Sequence, residues 1–101
     1  MPDEGPHHFP ARRELEEIGD FIAEDSPARA DRFVLELLER CEGLANYAER
    51  YPVATTWRGR EIRRCPYGRY LILYSLVEGD LEINHIVHGA RDYVRLLFPE
   101  D

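Results

Sequence analysis

Eight consecutive residues, Tyr70-Leu71-Ile72-Leu73-Tyr74-Ser75-Leu76-Val77, are apolar at odd and even positions alike, with a single serine as the exception. A strand sends alternate side chains to opposite faces of its sheet, so the run predicts a central strand covered on both sides. Its ends are marked by Pro66-Tyr67-Gly68 before it and Glu78-Gly79-Asp80 after it, each supplying the glycine that a tight hairpin wants. Strands are therefore expected at about residues 60–65, 69–77 and 81–88. Residues 53–59, which hold the lone tryptophan Trp57, read as a linking loop or an irregular strand.

The first half of the chain has a different period. Ala11, Leu15, Ile18 and Ile22 recur at helical spacing while Arg12, Glu14, Glu16, Glu17 and Asp20 fall on the side expected to face water. Ser26-Pro27 restarts the pattern, the serine as N-cap and the proline at the first helical position, where a missing N–H costs nothing. A second apolar stripe follows through Ala30, Phe33, Val34, Leu37, Leu38, Cys41, Leu44 and Ala45, and Tyr51-Pro52 stops it. The short connection predicts an antiparallel helical hairpin. The expected architecture is α+β: one domain over residues 1–101, with a flexible terminus or short edge strand at 1–9 and the helical hairpin at 10–50. The sheet and a C-terminal segment then occupy 57–98, and a three- to four-stranded antiparallel sheet carries the hairpin on one face. Residues 90–98 are a candidate short C-terminal helix. The second sheet face calls for a tail, a partner or a second copy.

A chain of 101 residues buries roughly 60–70% of its unfolded surface, enough for one modest core. No apolar run approaches the roughly 18 residues of a spanning helix, and the first ten residues lack the layout of a signal peptide. Both features point to the cytoplasm, where Cys41 and Cys65 stay reduced. The net charge of -7 argues against a polyanion partner, although residues 11–50 carry -5 and residues 51–95 carry +2. All 13 basic residues are arginine, which removes any lysine-based active site. His85 and His88 lie three apart on an extended segment and so point to opposite faces, and there is no C-x-x-C spacing, so neither a metal nor another cofactor is expected. Cys41, on the helical stripe, reads as core filler; Cys65, beside a turn proline, reads as more exposed.

Several loose signals occur in one order: P-A-x-x-E-L-x-x-I, then D-S-P-x-x-A-x-x-F-V, an I-R pair, G-R-Y-L-I-L-Y, and I-V-H-G-A-R-D. Together they resemble the ParE/RelE superfamily of bacterial toxins over nearly the whole chain, and the H-G-x-R-D ending is more similar to the ParE branch. The resemblance implies the toxin of a type II toxin–antitoxin pair, held in a hetero-oligomeric complex by a ParD-like antitoxin with a ribbon-helix-helix DNA-binding part. It further implies inhibition of DNA gyrase by binding, with no membrane role and no direct sequence-specific recognition of nucleic acid. The RelE branch instead implies ribosome-dependent cleavage of mRNA, and a non-toxic relic that only binds its antitoxin is a third reading.

On that resemblance Arg63, Arg91, Tyr93, Leu97 and Phe98 are the candidate target-binding residues. Arg58, Arg60, Arg64, Arg69 and Tyr70 are the candidate antitoxin-binding residues. Plainer roles stand beside these: Arg58, Arg60 and Arg69 could balance the acidic helices, and Arg91 with Asp92 reads as a structural pair. Arg63 and Arg64 are adjacent on a strand, so at most one belongs to any single site. Cleavage of RNA would need a proton acceptor that arginine cannot supply, leaving His85, His88, Tyr67 or Tyr93 for that task.

Overall fold

The computed structural model describes residues 9–89; the expectations for residues 1–8 and for the C-terminal segment 90–98, Arg91, Tyr93, Leu97 and Phe98 included, lie outside the described residues. Two helices precede a four-stranded antiparallel sheet, as the two periods predict. Helix α1 spans Arg12–Ala23 and α2 spans Pro27–Leu44. The backbone N–H of Arg29 donates to the Ser26 hydroxyl at 3.2 Å, so the serine caps α2 with Pro27 just inside, at the place the sequence marks. A 3₁₀ turn at Ala48–Arg50 follows, and then strands β1 Val53–Trp57, β2 Arg60–Tyr67, β3 Tyr70–Val77 and β4 Asp80–His88.

The sheet is a simple meander in the order β1-β2-β3-β4, which leaves β3 flanked on both sides. Ile72, Leu73, Tyr74 and Ser75 are all buried, so the two-sided apolar run of β3 is buried at both parities. The core joins α1 through Ala11 and Leu15, α2 through Leu37, Cys41 and Leu44, and the sheet through Cys65, Ile72, Tyr74, Leu81, Ile83 and Ile86. Leu37, Cys41, Cys65 and Ile72 have no exposed surface, and burying a leucine or isoleucine in this way stabilises the fold by about 1.5–3 kcal/mol.

Residues 53–57, read as a loop or an irregular strand, form an edge strand with one bulge near Ala54, Thr55 lying opposite Ile62 and Trp57 opposite Arg60. Three local expectations are corrected. Pro66 and Tyr67 belong to β2 rather than to a turn, since Tyr67 pairs with Tyr70 and the chain reverses at Gly68-Arg69. Cys65 is fully buried, because the strand continues through Pro66 and keeps the thiol on the face under α2. Glu14 does not face water: it is half-buried and bonded to β4.

Candidate functional site

The 3₁₀ turn after α2 is held to the sheet by two side chains from paired positions. Arg63 on β2 and Tyr74 on β3 are cross-strand partners. The Tyr74 hydroxyl donates to the Ala48 carbonyl at 2.6 Å, while the Arg63 guanidinium donates to the carbonyls of Tyr51 and Glu49. Burial pushes the Tyr74 phenol up to about 12, partly offset by the nearby Arg63 charge. Alternation then sends Arg64 to the opposite face, as predicted, where its side chain is half-buried and its backbone N–H donates to Pro52 at 3.1 Å.

A second cluster forms at the β2–β3 turn, where α2 meets the sheet. The Phe33 ring lies 5.5 Å from Tyr67 and 5.3 Å from Tyr70, and Tyr70 meets His88 edge-on at 5.0 Å. Arg40 from α2 sits over the Tyr67 ring at 5.1 Å and donates to the Pro66 carbonyl at 3.1 Å; Glu36 accepts from the Tyr67 hydroxyl at 3.1 Å. Tyr70 is thus part of the packing between helix and sheet, whereas Arg69 beside it is exposed and accepts from the Gly89 N–H through its carbonyl.

The remaining candidates are at the other end of the sheet. Arg58 occupies the β1–β2 turn with its guanidinium 4.4 Å above the Trp57 ring. Arg60 reaches across β3 to Glu82 on β4 at 2.8 Å, tying the two hairpins together. The five arginine and tyrosine positions expected to serve the antitoxin therefore do not form one patch: Arg58 and Arg60 share one end, Arg69 and Tyr70 the other, and Arg64 lies between.

Two features escaped the sequence reading. Phe21 and Leu35 are 69% and 58% exposed on the helices, although their residue types suit a core. A groove of about 480 Å3 lies between α1 and α2, lined by the apolar Leu15, Ala30, Val34 and Leu38, by Gly19, and by the charged Arg12, Glu16, Asp20 and Asp31. The tight i, i+3/i+4 apolar spacing of α2 hides this second face, because the stripe is wide enough to serve the sheet and the groove at once. Among the described residues no group of three His, Cys, Asp or Glu side chains is placed to hold a metal, and no helix is long and apolar enough to cross a membrane. His85 is engaged by Glu14 at 3.1 Å and His88 by the Tyr70 ring.

Comparison with known proteins agrees with the order of these elements. Residues 8–93 match the family model described as "ParE toxin of type II toxin-antitoxin system, parDE". The chain is also 37% identical over 81 residues to Toxin RelE2 of Caulobacter vibrioides, a match covering 80% of this chain and 89% of that protein. A helical hairpin leading into a four-stranded antiparallel sheet, matched over most of its length by that model, makes this chain a member of the ParE toxin family of type II toxin–antitoxin systems, and hence a protein with an antitoxin partner.

Proposed function

We propose that this toxin acts in the cytoplasm by binding DNA gyrase and blocking its cycle, with no bond made or broken by its own side chains, and that a ParD-like ribbon-helix-helix antitoxin neutralises it in a hetero-oligomeric complex. The observation that carries the reading is the placement of Arg63. An arginine serving phosphate cleavage must offer its donors to the charge that develops on the reacting phosphate. Arg63 instead turns one terminal nitrogen to the carbonyls of Tyr51 and Glu49, where it holds the 3₁₀ turn, and the other toward the Glu61 carboxylate at 3.5 Å. The two imidazoles are similarly occupied and lie against different neighbours, His85 against Glu14 and His88 against Tyr70. On this reading Arg63 supports the target-binding surface from beneath, Arg91, Tyr93, Leu97 and Phe98 contribute to that surface, and Arg64, Arg69 and Tyr70 serve the antitoxin, while Arg58 and Arg60, expected beside them, stand at the other end of the sheet and are not assigned to it.

A second reading, ribosome-dependent mRNA cleavage, is favoured by the name of the Caulobacter relative, Toxin RelE2. One pair of assays separates them. Purified gyrase should lose supercoiling activity or accumulate cleaved DNA when the chain is added, while transcripts on translating ribosomes stay whole. Cut transcripts with untouched gyrase would replace the first reading with the second. If neither responds while the antitoxin still binds, the chain is a relic that only regulates its operon.

A further inference from the structure

The β1–β2 hairpin turns through Arg58 and Gly59, both with left-handed backbone (φ 53° and 81°). Paired positive φ values define the turn type for which asparagine followed by glycine is the ordinary choice, and a long side chain rarely sits at its first position. Glu78-Gly79 repeats the backbone at the β3–β4 turn, so the geometry itself belongs to the fold. What sets Arg58 apart is its side chain, which lies over an indole that is itself 49% exposed. Tryptophan is on average a highly buried residue, and here the lone one of the chain stands at a hairpin tip.

We propose that this tip is a second grip on the toxin's protein target, separate from the surface around Arg63, with the Trp57 indole entering an apolar cleft and the Arg58 guanidinium meeting a carboxylate at its mouth. This rests on the reading above that the chain works by binding a protein. Four observations converge on it. The stacked guanidinium has no carboxylate or carbonyl partner among the described residues. The two hairpins are tied together by the Arg60–Glu82 ion pair at 2.8 Å, a contact in which the indole takes no part. Phe33 packs on the opposite end of the sheet, against Tyr67 and Tyr70, and at this end Trp57 is exposed on the face away from the helices and Leu76 on the face toward them. Tryptophan and arginine are the residues that most often dominate protein interfaces, because one large rigid ring and one planar donor fork lose little entropy on binding. Arg60 and Arg63 are already paired with Glu82 and Glu61, so the tip offers the single cation Arg58, which suits one carboxylate of a protein and not the repeated phosphates of a nucleic acid.

The test uses the full chain with Trp57→Ala, Trp57→Phe and Arg58→Asn, the last chosen because asparagine tolerates positive φ and preserves the turn. Purified gyrase in a supercoiling assay is the first probe and growth arrest on induction is the second. Folding is monitored by thermal melting and by co-purification with the product of the neighbouring antitoxin gene. Trp57→Ala and Arg58→Asn should each raise the half-inhibitory concentration by about tenfold or more, with Trp57→Phe between them and wild type, and with melting and antitoxin capture unchanged. Inhibition of gyrase by Trp57→Ala at the wild-type concentration overturns the inference and leaves the gyrase reading standing. Failure of the wild-type chain to affect gyrase removes that reading instead, and growth arrest then decides the tip. Arrest lost in a folded, antitoxin-binding Trp57→Ala supports it, and arrest retained overturns it. Because Trp57 is the lone tryptophan, its fluorescence reports any other ligand; saturable quenching by a single-stranded oligonucleotide at physiological salt overturns the choice of a protein partner.

Discussion

The carboxylate of Glu14 on α1 accepts the backbone N–H of Ile86 on β4 at 2.9 Å, and its other oxygen lies 3.1 Å from Nδ1 of His85. Just before it the N–H of Ala11 donates to the Ile83 carbonyl at 3.2 Å. The start of α1 therefore satisfies backbone groups along the outer edge of β4, next to the bulge that shifts the β3–β4 register between Leu73 and Tyr74. An edge strand with unpaired groups invites pairing with another chain, and here a helix blocks it. Glu14→Ala should cost about 1–3 kcal/mol, because it leaves the Ile86 donor without its partner; Glu14→Gln, which keeps an acceptor, should cost less. Urea unfolding of the three proteins reads the difference, and equal midpoints would show that water replaces the carboxylate.

Leu37 and Glu36 are neighbours with opposite fates. Leu37 is fully buried between α2 and the sheet, so Leu37→Ala should lose about 2–5 kcal/mol and Leu37→Asp should prevent folding of the isolated chain. Glu36 is exposed, and its bond to the Tyr67 hydroxyl is its main contribution. Glu36→Ala should therefore cost no more than about 1 kcal/mol. Circular dichroism melts of the pair test the phase of α2 directly.

Alkaline pH should weaken the fold in a defined window. Burial pushes the Cys41 thiol up to about 12 from its usual 9.0, with Cys65 and Glu42 adding to the rise, and pushes the Tyr74 phenol up to about 12 from 10.0. The unfolded chain gives up these protons first, so the stabilising effect is complete below about pH 9 and is lost as pH rises toward about 12. Tyr74→Phe should flatten the upper part of this decline and Cys41→Ala the lower part, in urea midpoints collected from pH 8 upward. A decline that neither substitution changes would place its origin elsewhere.

Arg63→Ala should lower stability by about 1–3 kcal/mol, because the carbonyls of Tyr51 and Glu49 lose a charged donor at a part-buried position. Arg63→Lys should recover part of that loss but not all, since one ammonium replaces a planar fork. If the proposed supporting role is right, toxicity across these variants should fall in step with stability. Toxicity abolished in a variant as stable as wild type would mean that Arg63 touches the target itself.

Local chemistry made much of the fold legible. Ser26-Pro27 marks the start of α2 because a capping hydroxyl and a missing donor act within one turn of the chain. Gly68 and Gly79, both at positive φ, mark two of the reversals for the same local reason, while the reversal at Gly59 went unread. The parity of β3 identified a central strand, because burial at odd and even positions is written in the residue types themselves. The motifs in their order pointed to the toxin family before any geometry was known. Tertiary structure alone decided the rest. Val53–Trp57 became a strand only because β2 offered it a partner, and Cys65 was buried only because α2 crosses above it. Glu14, patterned to face water, turned inward because β4 brought an unpaired N–H to it from residue 86. The ten candidate binding residues carried no signal of their mutual distances. Whether Arg63 offers its charge to a ligand or to Tyr51, and whether Arg60 reaches Glu82 or solvent, depends on contacts between residues far apart in the chain, which no local pattern encodes.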